Sequence, residues 1–159
     1  GSAGANSTIQ FGLAGDIPLI ADMDGDGKTD PTIFRPSTGT YWYKSSTTGA
    51  DTPIQWGQNG DVPVPADFDG DGKTDAAVFR PSNGAWYVLR SGSGSFTVTS
   101  WGMSGDRPVT GDYDGDGKAD VAIWRPSTGV WFIMQSTAGF TGRQYGVSTD
   151  IAVPNAFLP

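Results

Sequence analysis

Histidine, cysteine and glutamate are all missing from the 159 residues. Without histidine or cysteine the chain has no thiol nucleophile, no imidazole general base, no zinc site of the usual kind and no disulfide. Stability must therefore come from packing and from any bound ion. The missing glutamate is informative in another way: all 17 acidic residues are Asp, which favours turns and hard-cation sites where Glu favours helices. Long apolar runs are missing too, so no membrane insertion is expected. With only 10 Lys and Arg, a net charge of −7 and no basic stripe, nucleic acid is not an expected partner. No signal peptide is visible. Gly1-Ser2 reads as the remnant of a removed tag, and residues 1–7 as lying outside the folded unit.

What is present points to short strands. The chain holds 24 Gly and 11 Pro with 12% aromatics, a composition suited to strands joined by frequent turns. It also repeats. Phe11 to Gln55, Trp56 to Ser100 and Trp101 to Gln144 align almost without gaps, and a partial fourth copy starts at Tyr145. Each copy runs from an aromatic-Gly pair through a Gly-Asp-x-Pro turn, an apolar run, an Asp-rich loop, a second apolar run ending in Arg-Pro-Ser, a Gly turn, an aromatic strand and a Ser/Thr/Gly connection.

In the second copy this order predicts four strands, Val62 to Asp67, Asp75 to Arg80, Ala85 to Arg90 and Ser95 to Trp101. A four-stranded unit recurring about every 45 residues is the signature of a β-propeller blade. The expected fold is all-β, with four-stranded antiparallel blades at 8–55 (with a leading strand), 56–100 and 101–144, and a partial repeat at 145–159. Closed propellers have about four to eight blades. Three blades therefore lead us to expect the chain to associate with itself, as a homodimer or larger ring. Thr8 to Gly12 and Asp150 to Leu158 read as stray strands available to pair across chains.

The Asp-rich loops place carboxylates at positions 1, 3, 5 and 9: Asp22, Asp24, Asp26 and Asp30; Asp67, Asp69, Asp71 and Asp75; Asp112, Asp114, Asp116 and Asp120. Ca²⁺ takes six to eight oxygens, and alternate Asp residues on a loop aim successive carboxylates at one centre. Gly at position 6 permits the turn. Lys28, Lys73 and Lys118 stand at position 7, where only the backbone carbonyl can be a ligand. The ninth Asp is expected to bind through both oxygens. Position 12 holds Ile33, Val78 and Ile123 in place of the EF-hand Glu, so the loop should connect strand to strand. About three Ca²⁺ per chain are expected. Without metal, such close carboxylates should raise one another's pKa. Three ions would bring the charge from −7 to −7 + 6 = −1.

The aromatic-Gly start, the D-x-D-G-D-G-x-x-D loop and the apolar strand after it resemble the calcium-binding FG-GAP and VCBS-type repeats of integrin α-like propellers and bacterial secreted proteins. The resemblance covers nearly all of Phe11 to Phe157. It implies a propeller blade whose loop joins the first two strands and holds Ca²⁺. Phe34-Arg35-Pro36, Phe79-Arg80-Pro81 and Trp124-Arg125-Pro126 stand where the integrin pattern has Gly-Ala-Pro, closer to the bacterial branch.

Other columns carry two readings each. Phe34, Phe79 and Trp124, with Phe11, Trp56, Trp101 and Tyr145, suit packing between blades. Tyr41, Trp86 and Trp131 alternate with Trp42, Tyr87 and Phe132, so one of these columns is free to stack on sugar rings. Arg35, Arg80 and Arg125 either tie to Asp16, Asp61 and Asp106 or bind an anionic ligand. Few carboxylates outside the loops remain for glycosidase chemistry, so no enzyme is expected. The expected function is that of a secreted or cell-surface module, with structural calcium, that binds carbohydrate (lectin-like) or takes part in protein adhesion. The alternative is an architectural or engineered propeller fragment that self-assembles without a ligand.

Overall fold

A computed structural model describes residues 8–152, and no helix occurs among them. Three four-stranded antiparallel sheets follow one another along the chain, and we call them blades 1 to 3. Blade 1 consists of β1 (Ile17–Ala21), β2 (Asp30–Arg35), β3 (Thr40–Lys44) and β4 (Asp51–Gln55). Blade 2 consists of β5 (Val62–Pro63), β6 (Ala76–Arg80), β7 (Ala85–Leu89) and β8 (Phe96–Ser100). Blade 3 consists of β9 (Arg107–Pro108), β10 (Val121–Arg125), β11 (Val130–Gln135) and β12 (Gly139–Gln144). Strands adjacent in sequence are adjacent in each sheet, as short hairpin connections dictate.

The first strand of blades 2 and 3 is shorter than the expected span. Val62 and Pro63 pair with Phe79 and Val78, after which the ladder continues only as Val64 N–H to the Ala77 carbonyl at 2.8 Å and an isolated Ala66–Asp75 bridge. Pro65 lies between them and has no N–H to give, which interrupts the strand there. The other three strands of blade 2 fall within a residue of expectation. The leading strand expected at Thr8 to Gly12 is not formed: this segment joins no ladder. Asp150 to Ala152 are likewise outside any strand, and the rest of the expected Asp150 to Leu158 strand lies outside the described residues, as do residues 1–7.

Side-chain alternation gives each blade a forward and a rear face. Phe34 and Tyr41 point forward from blade 1 onto Ala76 and Val78 on the rear of blade 2, with Leu19, Ile54, Trp56 and Tyr87 at the margin. Val64, Ala77, Phe79, Trp86 and Val88 point forward from blade 2 onto Ile123 of blade 3. The core comprises these two junctions, each rich in wholly buried rings worth roughly 1.5–3 kcal/mol apiece, and a third cluster on the forward face of blade 3, where Val109, Ala122, Trp124 and Ile133 pack with Trp131 and Ala152. The connector residues Trp56 and Trp101 bind the next blade through their indole N–H groups, at 3.0 Å to the Tyr87 carbonyl and 3.1 Å to the Phe132 carbonyl.

Candidate metal centres

Each Asp-rich loop joins the first two strands of its blade, and its first Asp acts as the hub of the turn. Asp22 Oδ1 accepts the Gly25 N–H at 2.7 Å and the Asp26 N–H at 3.2 Å, while its Oδ2 accepts that of Gly27 at 2.8 Å. Asp67 and Asp112 gather Gly70 and Gly72, and Gly115 and Gly117, in the same way. These glycines have φ near +80°, the conformation that lets so short a loop wrap a single carboxylate.

The ninth Asp is a clamp. Asp30, Asp75 and Asp120 are buried. In each, Oδ2 accepts the position-2 N–H (Met23, Phe68 or Tyr113, at 2.8, 3.0 and 2.8 Å). Their Oδ1 atoms accept the N–H of Ser46, Ser91 and Ser136 at 2.7 Å, which ties the loop to the turn between the third and fourth strands. Both oxygens expected to bind an ion thus already hold a backbone donor, and Asp30 Oδ2 holds a second, the Asp24 N–H at 3.1 Å.

The fifth position divides the loops. In loop 1, the Ser46 and Thr47 hydroxyls donate to Asp26 Oδ2 at 2.8 and 2.9 Å, and Lys28 Nζ lies 2.8 Å from the same atom. In loop 3, Ser136 and Thr137 donate to Asp116 likewise. Loop 2 has Gly92 where the others have Thr47 and Thr137, so only Ser91 reaches Asp71, at 3.3 Å. The converging carboxylates differ accordingly. Asp22, Asp24 and Asp30 bring oxygens within 4.8 Å of one another, as do Asp112, Asp114 and Asp120, while the second cluster is Asp67, Asp69 and Asp71. Lys28, Lys73 and Lys118 each donate their N–H to the fifth Asp of their own loop, at 2.8 to 2.9 Å.

Charge and burial act in opposite directions across the loops. Burial pushes the Asp75 and Asp120 carboxyls up, and neighbouring Asp69, or Asp114 and Asp112, add to the rise. At Asp24, Asp26 and Asp116 the net direction is the reverse of that expected from sequence, although the Asp26 charge still pushes Asp24 upward. The Ser45 hydroxyl lowers Asp24, the Lys28 ammonium and Ser46 hydroxyl lower Asp26, and the Ser136 and Thr137 hydroxyls lower Asp116.

The donor set suits a hard cation, since it is all carboxylate oxygen. Two of these oxygens, Asp69 Oδ1 and Asp114 Oδ1, are buried and accept no hydrogen bond. A buried charged oxygen without a donor is costly, and an ion held among the same carboxylates would satisfy it. The three clusters can therefore hold metal ions, with a donor-free oxygen on Asp69 and Asp114, whereas Asp24 accepts from Asp26, Ser45 and Thr47.

The other candidate residues fall into place around the loops. Arg35, Arg80 and Arg125 spend their forks on Asp16, Asp61 and Asp106 of the same blade, through paired bonds of 2.8 to 2.9 Å. Each also lies over a rear-face ring, of Trp42, Tyr87 or Phe132. Of the two readings of this row, the structure shows the tie to Asp: Nε and Nη2 of each guanidinium are engaged within the blade. Sugar stacking on Tyr41 and Trp86 is corrected, because both are wholly buried in the blade junctions. Tyr41 donates its hydroxyl to the Ala77 carbonyl of blade 2, and Trp86 its indole N–H to the Trp101 carbonyl at 2.9 Å. Trp131 is half-buried against the forward face of blade 3 and bonds the Tyr145 carbonyl at 3.1 Å.

Sequence reasoning missed Ser46, Ser91 and Ser136. Their even 45-residue spacing was there to be found, but serine in a turn-rich connection is ordinary. It also missed Phe96 and Phe140, exposed rings set against Trp56 and Trp101 at 5.8 and 5.4 Å.

Residues 67–123, from the hub of the second loop to the middle of β10, match the family model described as FG-GAP-like repeat. No curated protein and no solved structure matches the chain. Repeats of this kind are generally binding modules rather than enzymes, typically extracellular or at surfaces. By its strands, its Asp loop and this match, the stretch from Asp67 to Ile123 is similar to an FG-GAP-like repeat.

Proposed function

We propose that the chain is a calcium-loaded binding module of the secreted or cell-surface kind, one ion per loop, with no catalytic activity of its own. The observation that carries this reading is the pair of buried oxygens without donors, Asp69 Oδ1 and Asp114 Oδ1, in clusters made wholly of carboxylate. Asp22, Asp24 and Asp30 in blade 1 match the positions of the third cluster, with Asp24 Oδ1 accepting the Asp26 N–H. Modular extracellular sites of this class bind in the range of about 10⁻⁴ to 10⁻³ M, which matches calcium outside cells.

Titration calorimetry of the EDTA-stripped chain with Ca²⁺ tests the reading. Binding to three sites should stabilise the fold, by about 1.4 kcal/mol per site at ten times Kd. Asp69→Asn should remove the second site and leave two. Absence of both binding heat and a rise in melting temperature at millimolar Ca²⁺ would sink the proposal.

For the target we favour a glycan. The support is the exposed Phe96 and Phe140 rings, each backed by an indole at the margin of a blade junction, since such rings offer apolar faces to sugars. A glycan array read with and without EDTA should show signals that weaken in Phe96→Ala. Silence on every glycan would turn the reading to protein adhesion.

A further inference from the structure

The contact between neighbouring blades is built twice in the same way. At the loops, the position-8 residue of the later blade donates its N–H to the position-1 carbonyl of the earlier one: Thr74 to Asp22 at 2.8 Å, Ala119 to Asp67 at 2.7 Å. The position-7 lysine stem lies across the earlier loop's position-4 glycine. A Cβ on Gly25 would stand 2.5 Å from Lys73 Cγ, and one on Gly70 would stand 3.3 Å from Lys118 Cγ. Beneath the loops, a forward face carrying two rings meets a rear face of aliphatic residues.

Each half of this contact is open once at its loop edge, although the apolar front of blade 3 beneath, formed by Val109, Ala122, Trp124 and Ile133, is already buried, in part against Ala152. At the rear of blade 1, the Lys28 side chain is 72% exposed and turned back onto its own Asp26, and Thr29 and Ile20 are exposed. Their counterparts Lys73, Thr74 and Pro65, and Lys118, Ala119 and Thr110, are half-buried or buried. A cleft of about 330 Å³, lined in part by Phe11, Ile33 and Trp42, opens on this face. At the front of blade 3, no atom stands within 4 Å of a Cβ on Gly115, although Gly25 and Gly70 are both covered. Tyr113 there is 36% exposed where its counterpart Met23 is 6% exposed. Trp124 Nε1, on the same face, is buried with no acceptor among the described residues.

We propose that a second copy of this chain seats the rear of its blade 1 on the front of blade 3, and that two copies do so reciprocally. The occupant is a copy because the unmatched surfaces are the two halves of an interface that already exists twice within the chain. Charge agrees: Lys28 would leave Asp26 and lie over Gly115, bringing a cation to a loop of four carboxylates. Reciprocal seating gathers six blades, within the range of about four to eight that closed propellers use. Tyr145-Gly146 sits against blade 3 as Trp56-Gly57 and Trp101-Gly102 sit at the internal junctions, and Phe11-Gly12 holds that same place on blade 1. One of the two segments must move aside on seating, and at blade 3 that means the chain from Tyr145 through Ala152, which packs on the Trp124 cluster. Tyr145, far more exposed than Phe11, begins the more weakly held one. The inference rests on blade packing and does not depend on the calcium reading.

Light-scattering chromatography of the full chain, over a range of concentrations in Ca²⁺ and in EDTA, is the test. A species of twice 16.6 kDa is expected. Ile20→Asp puts a charge on an exposed position that becomes partly covered at a junction. It should weaken self-association at least tenfold while leaving the far-UV spectrum unaltered. A wild-type chain monomeric at all concentrations, or Ile20→Asp pairing as well as wild type, would overturn the proposal, and open-ended growth would overturn the reciprocal closure. Pairing without any calcium heat would remove the calcium reading and leave this one standing; calcium binding by a permanent monomer would do the reverse.

Discussion

Arg80 grips Asp61 through two bonds of 2.8 Å and rests its guanidinium over the Tyr87 ring, 4.2 Å from the centroid. The Asp61 side chain is almost wholly buried, so its charge depends on this fork and on the Gln58 N–H. Arg80→Ala should cost about 2–3 kcal/mol in urea unfolding, because it strands a buried carboxylate. Arg80→Lys should recover only part, since an ammonium cannot fork. Asp16 is held below the usual carboxylate range chiefly by its bond from Arg35, so this pair stabilises the fold above the ordinary carboxyl pKa and loses its contribution as pH falls below that. At this scale the sequence was informative but incomplete. Recurrence marked the Arg and Asp columns as a pair, and the spacing of Asp at positions 1, 3, 5 and 9 marked the loops. The different duties of those four positions were not legible, because they depend on which N–H and hydroxyl groups the fold brings alongside. Thr47 and Thr137 against Gly92 is the plainest case: the loop whose turn lacks the threonine is also the loop in which a different set of carboxylates converges.

The strands were the easier reading, because Gly, Pro and Asp punctuate them and the aromatic and aliphatic residues alternate between. What escaped was where a ladder stops. β5 and β9 end after two residues, and the stray strand before β1 does not form, since a lone strand has no partner to complete its hydrogen bonds. The tight turn between the second and third strands carries a firmer constraint. Gly84 has φ of +64°, and a Cβ placed there would stand 2.2 Å from the Gly102 carbonyl oxygen of the connector. Gly84→Ala should therefore cost more than the usual glycine replacement, about 2–4 kcal/mol, and should loosen the junction between blades 2 and 3. Hydrogen exchange at Trp101, whose N–H bonds the Gly84 carbonyl, reads the effect directly. Unchanged protection there would show that the connector adapts.

Across the whole molecule, charge and packing are separated in space. Acidic loops follow one another along one edge, linked by Asp22 to Thr74 and Asp67 to Ala119, while the apolar rings lie beneath them between blades. With a net charge of −7 and no bound cation, loop repulsion should weaken the fold at low salt, so the melting temperature of the calcium-free chain should rise with added NaCl. The calcium-loaded chain should respond much less. Equal responses would mean that loop charge contributes little to stability. The junctions themselves are all of one design, a pair of rings on an aliphatic face under a lysine laid across a glycine. A lineage of such chains can therefore lengthen or shorten by duplication or loss of whole units. Removing the 45 residues between equivalent points such as Phe79 and Trp124 would leave each surviving face opposite one it already fits, so inheritance can proceed in steps of a blade without passing through a misfolded ancestor.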